Sequence, residues 1–177
     1  MILVYIILLA TLVYFIFFLA QFYNIIFHGY PPFISSSQDN INKIIEAAKI
    51  KETDIVYELG CGRARFLKTI EKSYPKTKLI GVETLFSIHL LNKIRLKLQG
   101  SKIKLINKDF FKLNLSKTTI IYCYLNNTTM IKLGQKIINE CKAGTQIISQ
   151  TFSIPQLKPT KVIKVNSKKV YFYTLNS

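Results

Sequence analysis

Two hydropathy regimes divide the chain. From Met1 to Phe27 (MILVYIILLATLVYFIFFLAQFYNIIF) no residue is charged, and the first charge of either sign is Asp39. About 20 apolar residues rising 1.5 Å each cross a hydrocarbon core of roughly 30 Å. The run therefore predicts a transmembrane helix over residues 1–28, with Tyr5, Tyr14 and Tyr23 as candidates for its interfacial belt. A soluble core helix rarely runs so far without a charge, and a cleaved signal peptide has a positive start and a shorter apolar centre. An uncleaved anchor is the expectation. His28-Gly29-Tyr30-Pro31-Pro32 breaks the helix. A linker is expected over 29–38 and a separate domain over 39–177.

Beyond the linker the apolar period changes. Asp39 can cap a helix through Ile50, with Ile41, Ile44, Ile45 and Ala48 at helical spacing. From Thr53 onward short apolar runs alternate with helical patterns. Strands are predicted over 54–59, 78–83, 102–106, 119–125 and 145–152. Helices are predicted over 64–73, 86–98 and about 128–141, the second with Ile88, Leu91 and Leu98 among its apolar positions and closed by Gln99-Gly100. Two last segments, 161–165 and 169–175, flank Asn166-Ser167-Lys168 and read as an antiparallel hairpin. Alternating strand and helix means an α/β domain, a mostly parallel, doubly wound sheet with helices on both faces. Ligands in such sheets bind beyond the carboxyl ends of the strands, near the switch point.

Charge changes the picture in one respect. The net charge of +16 falls entirely on residues 39–177. A basic domain faces anionic lipid, nucleic acid or an acidic protein, or simply reflects a composition crowded with Ile, Lys, Asn, Tyr and Phe. Arginine occurs only three times and the lysines form no long run. No arginine-rich arm, zinc finger or RNA-binding aromatic signature is present, so nucleic acid is not an expected partner. Cys61, Cys123 and Cys141 are odd in number and include no Cys-x-x-Cys. Reduced thiols in a cytoplasmic domain are expected, with no disulfide framework and no metal site.

The candidate chemistry lies at the predicted strand ends. Three of only nine acidic residues, Glu58, Glu83 and Asp109, end the first three strands at intervals of 25 and 26 residues. Glu83 can accept from both hydroxyls of a ribose, as an acidic residue does in dinucleotide folds. Asp109 can accept from an exocyclic adenine amine. Glu58 precedes Gly60 and Gly62, which let backbone approach a ligand closely. A dinucleotide fingerprint needs a third glycine at position 65, where this chain has Arg65, and no Gly-Lys-Ser/Thr of a P-loop follows. A carboxylate before the turn suits a ligand carrying an ammonium and a sulfonium better than a pyrophosphate. A plain structural strand-turn-helix is the bland alternative.

VYELGCGRARFL followed by LIGVE resembles motifs one and two of class I S-adenosylmethionine-dependent methyltransferases, with Ala64 where those families usually have a third glycine. The resemblance covers about residues 30–177 and implies a Rossmann-like, seven-strand sheet. YPPFISSS, Arg65 and SQTFSIPQLKP are similar to a narrower subgroup: small, single-span methyltransferases related to the mitochondrial enzymes that methylate lysine on the ATP synthase c subunit and the adenine nucleotide translocase. That subgroup often has an aromatic where this chain has Leu157. The resemblance implies S-adenosyl-L-methionine as cofactor, held around Glu58, Gly60, Cys61, Gly62, Glu83, Asp109 and Phe110. It places Pro32 and Phe33 at the substrate entrance, and Tyr124 and Asn126 beside the methyl group, where they orient an amine; Tyr122 and Tyr124 read equally well as core. The Asn-Pro-Pro-Tyr pattern of amide and base methyltransferases is absent. His89 reads as a surface or packing residue.

The expected function is a membrane-anchored protein-lysine N-methyltransferase acting on a membrane protein. Lys43, Lys49 and Lys51 place its domain on the cytoplasmic side by the positive-inside rule. The alternatives are methylation of a lipid or quinone-like molecule, and a non-catalytic scaffold that kept the fold.

Overall fold

The computed structural model describes residues 1–28 and 38–176, and the chain divides into two units, Met1–Ile34 and Ser35–Ser177. In the first unit, helix α1 spans Ile2–His28. Its stretch Ile2–Ala20 is long and apolar enough to cross a membrane, with a mean hydropathy of 2.9. The side chains from Met1 to Ala20 are exposed. The hydroxyl of Thr11 turns back on its own helix, donating to the Ile7 and Leu8 carbonyls at 3.0 and 2.8 Å, so it is satisfied within the helix.

In the second unit, helix α2 (Gln38–Ala48) is followed by β1 (Ile55–Leu59), α3 (Arg65–Ser73), β2 (Lys78–Glu83), α4 (Phe86–Leu98) and β3 (Lys104–Asn107). A single 3-10 turn (Phe110–Lys112), β4 (Ile120–Cys123), α5 (Asn127–Glu140), β5 (Gln146–Gln150), β6 (Lys161–Val165) and β7 (Lys168–Thr174) complete it. The sheet has seven strands in the order β3-β2-β1-β4-β5-β7-β6. The first five are parallel, and β7 enters antiparallel between β5 and β6. The chain reverses from β3 on one side of β1 to β4 on the other, which opens a crevice at the carboxyl ends of β1 and β4.

The sheet separates two apolar cores. Val56, Tyr122, Ile148 and Phe172 pack with α2 and α3 (Ile41, Ile44, Phe66, Leu67, Ile70) and with Leu96 of α4. Leu59, Ile80, Val82, Ile121, Cys123 and Ile147 pack with Met130, Leu133 and Ile137 of α5. Helices on both faces and the terminal hairpin are as the apolar pattern predicts.

Several bounds differ from the pattern, each for a local reason. The predicted strand 102–106 starts late because Glu71 ties down its lead-in, accepting from the Ser101 hydroxyl at 2.8 Å and the Lys102 amide at 2.5 Å. The strand predicted over 145–152 stops at Gln150, since Thr151 takes a left-handed φ of 76° that no ladder admits. Helix α4 turns His89, Asn92 and Leu96 inward and leaves Leu91 and Leu98 outside.

Candidate active site

The loop after β1 is shaped by its glycines and pinned to β2. Gly60 and Gly62 have φ of 70° and 47°, the left-handed region that a side chain disfavours. A Cβ on Gly60 would also come within 3.0 Å of Leu125 Cδ2. The Gly60 and Cys61 amides both donate to the Val82 carbonyl at 2.9 Å, which folds the loop over the end of β2. Ala64, where the third motif glycine is usual, adopts φ 51°, ψ 39°. The backbone therefore keeps the glycine conformation without the glycine.

The two glutamates converge on this loop. Glu83 ends β2, is buried, and accepts from the Gly62 amide through Oε2 and from the Leu85 amide through Oε1, both at 3.0 Å. A carboxylate offers about four lone-pair sites, so each oxygen keeps capacity for one more donor; two ribose hydroxyls match that capacity. Glu58 is buried as well and accepts from the Leu67 amide in the first turn of α3 at 3.3 Å. Burial raises its pKa to about 8; the Leu67 N–H pulls the other way, and the charge of Glu83 adds to the rise. A carboxyl in that condition gains most from a cation brought beside it.

The end of β3 is clasped to the end of β2. Asn107 Nδ2 donates to the Glu83 carbonyl at 2.8 Å and to the Thr84 carbonyl at 3.1 Å. Asp109 follows and caps the 3-10 turn, its Oδ1 accepting from the Phe111 amide at 2.9 Å. Phe110 is buried in the α5-side core, its ring tilted against Phe111 at 4.6 Å between centroids. Cys61 contributes backbone to the loop. Its buried thiol lies against Gly81, where a Cβ would approach Sγ to 2.9 Å, and burial pushes its pKa well up, so it is an inert packing group.

Beyond β4 the chain carries further polar side chains. Tyr122 is core: its ring stacks on Phe66 at 3.9 Å and its hydroxyl donates to Gln150 Oε1 at 2.5 Å. Tyr124 lies past the strand, half-buried, and takes a hydrogen bond from Lys168 Nζ at 2.7 Å; the same ammonium lies 5.1 Å from the centre of its ring. Asn126 caps α5, its Oδ1 accepting from the Thr129 amide at 2.8 Å. Lys168, at the start of β7, is a partner of Tyr124 that sequence reasoning missed. Nothing marks it among the other lysines, and its partner is 44 residues away. Pro32 and Phe33 lie outside the described residues. Among the described residues no group of three or more His, Cys, Asp or Glu side chains gathers to hold a metal.

Glycine loop, β2 carboxylate and strand order together define a class I S-adenosylmethionine-dependent methyltransferase. The chain belongs to the family of the ANTKMT methyltransferase domain, whose model matches residues 58–161. A protein-lysine N-methyltransferase of Saccharolobus islandicus (strain REY15A) is 28% identical over 157 residues, covering 81% of this chain and 93% of that protein. Among solved structures, an RNA methyltransferase from Salinibacter ruber, in complex with S-adenosyl-L-homocysteine, aligns with a TM-score of 0.76 at 21% identity, over 81% of this chain and 94% of that one. A ribosomal protein L11 methylase from Lactobacillus delbrueckii subsp. bulgaricus aligns with a TM-score of 0.63 at 13% identity, covering 78% of each chain.

The site fits the cofactor of that class. Gly60 and Gly62 give the loop its left-handed turns, Glu83 has lone pairs for two hydroxyls, and Glu58 is a buried carboxyl suited to a cationic group. When bound, S-adenosylmethionine supplies a methyl group already activated by its positive sulfur.

Proposed function

We propose that this protein is a membrane-anchored protein-lysine N-methyltransferase whose substrate is a membrane protein. The observation that carries the reading is the family match across the glycine loop, both strand-end carboxyls and the post-β5 segment, joined to a relative named for protein-lysine methylation. Helix α1 supports the anchor by its length and apolarity, and Lys43, Lys49 and Lys51 favour the cytoplasmic side for the domain.

The chemistry asks two things of the chain. The acceptor amine must be neutral, because only a lone pair attacks carbon, and it must be held at a near-attack distance of about 3–3.5 Å. The Lys168 ammonium beside Tyr124 disfavours a second positive charge there and so favours the neutral amine. Tyr124 Oη, fixed by Lys168, and the Asn126 side chain orient it.

The test is incubation of the full chain with methyl-labelled cofactor and native membranes, followed by separation of protein from lipid extract. Label is expected on lysine in a membrane-protein fraction and reduced with Glu83→Ala at a cofactor concentration near the wild-type dissociation constant. Label confined to the lipid extract refutes the lysine reading.

A further inference from the structure

Helix α4 wears its apolar side outward. Phe86, Leu90, Ile94 and Leu98 recur every four residues and are 66%, 42%, 51% and 83% exposed, with Leu91 beside them at 64%. These five are more than half of the nine large exposed apolar side chains that the described residues beyond 37 carry. The helix cannot roll to bury them, because its inner side is committed. His89, Asn92 and Leu96 are buried. Arg95 Nη2 donates to Asn92 Oδ1 at 2.8 Å and to the Arg63 carbonyl of the glycine loop. The polar side of α4 thus buttresses the cofactor loop while the greasy side is left without cover.

Charge indicates what covers it. The stripe is bordered by Lys93 and Lys97, and α4 contains no acidic residue. In a face-to-face pairing with a second copy, these lysines would oppose each other within domains that carry the whole +16 of the chain. A surface that is apolar below and negative above matches both features, since apolar side chains enter the acyl boundary and each nearby lysine contributes about 1 kcal/mol with anionic headgroups. We propose that the α4 face rests in the interfacial layer of an anionic bilayer, a docking surface that deepens the membrane-anchored reading and rests on it. Phe86 opens the helix three residues after Glu83. The docked face therefore belongs to the helix that leaves the strand end carrying Glu83, on the β2 side of the site.

The chain contains no tryptophan, so single-tryptophan variants of the full chain report depth directly. Leu91→Trp, Leu12→Trp in α1 and Val162→Trp on exposed β6 are reconstituted in vesicles of phosphatidylcholine and phosphatidylglycerol, with and without brominated acyl chains. Leu91→Trp and Leu12→Trp should lose emission to the brominated lipid, Val162→Trp should not, and the Leu91→Trp loss should shrink in vesicles of phosphatidylcholine alone. Quenching at Leu12→Trp without quenching at Leu91→Trp overturns the docking proposal and leaves the anchor intact. Quenching at Leu91→Trp without quenching at Leu12→Trp refutes the anchor and supports the docked face. A blue-shifted Leu91→Trp emission that ignores brominated lipid means a protein surface, such as a second copy, covers α4, and the lipid proposal fails.

Discussion

Cofactor affinity should depend steeply on pH through one buried carboxyl. Burial raises the pKa of Glu58 to about 8, with the charge of Glu83 adding to it and the Leu67 amide opposing. At neutral pH the ligand-free protein therefore carries Glu58 mainly protonated. The folded state prefers that protonated form, and the unfolded carboxyl titrates near 4.5. The group's stabilising contribution is full below 4.5 and is lost as pH rises through about 8. A cationic ammonium and sulfonium favour the carboxylate and draw its pKa back toward the ordinary range. If the bound value is near 4.3, binding tightens about tenfold per pH unit below the free pKa, or roughly 50-fold between pH 6 and pH 8. Titration calorimetry of S-adenosylmethionine in two buffers of different ionisation enthalpy reads this as affinity and as release of nearly one proton per cofactor at pH 7. Glu58→Gln should bind at the weak, low-pH level of the wild type and show no slope. A wild-type dissociation constant that stays flat across this range, with no buffer dependence of the enthalpy, would refute the reasoning.

Other expectations follow from single contacts. Glu83→Ala removes the acceptor of the Gly62 and Leu85 amides along with the ribose acceptor. Calorimetry should show at least about tenfold weaker cofactor binding, and an unchanged constant would contradict the ribose assignment. Gly60→Ala forces a side chain into φ 70° against Leu125, at a cost of about 1–2 kcal/mol from the backbone alone; thermal unfolding should shift down and affinity should fall with it. Ala64→Gly relieves a left-handed φ of 51°, but it deletes a buried methyl worth about 0.8 kcal/mol and loosens the unfolded chain, so denaturation should place it within about 1 kcal/mol of the parent. In the proposed reaction, Lys168→Met removes the charge 2.7 Å from the Tyr124 hydroxyl. The rising limb of the kcat–pH profile should move up by as much as about one unit, while cofactor affinity stays unchanged.

The sequence pattern reached the fold where apolar runs are bracketed by turn chemistry. Lys78–Glu83, Phe86–Leu98 and Lys161–Val165 fall on their predicted bounds, with Gln99-Gly100 closing the helix and Asn166-Ser167 following the last of the three. It overshot β4 and β5, because Tyr124 and Leu125 are as apolar as a strand yet turn away, and because Thr151 gives no compositional sign of its left-handed backbone. The glycine loop, Glu58 and Glu83 were legible since adjacent residues and a regular strand-helix interval carry that signal. Contacts between distant segments were not. Asn107 grips the end of β2 from 24 residues away, and Lys168 reaches Tyr124 from the far hairpin. The direction of α4 was hidden for a different reason: its polar inner face inverts the usual rule, so periodicity identified the helix but not which side is buried.

The insertion of β7 between β5 and β6 has a consequence for biosynthesis. Ribosomes deliver β5 well before the strand that will lie beside it, so the nascent sheet waits with an open, unpaired border that other chains can join. The same late strand brings Lys168 to Tyr124, and the Asn166 amide that grips Asn40 of α2 at 2.8 Å arrives just ahead of it. Closure of that border, the Asn166–Asn40 tie to α2 and the Lys168–Tyr124 contact thus all wait for the same late-synthesised hairpin.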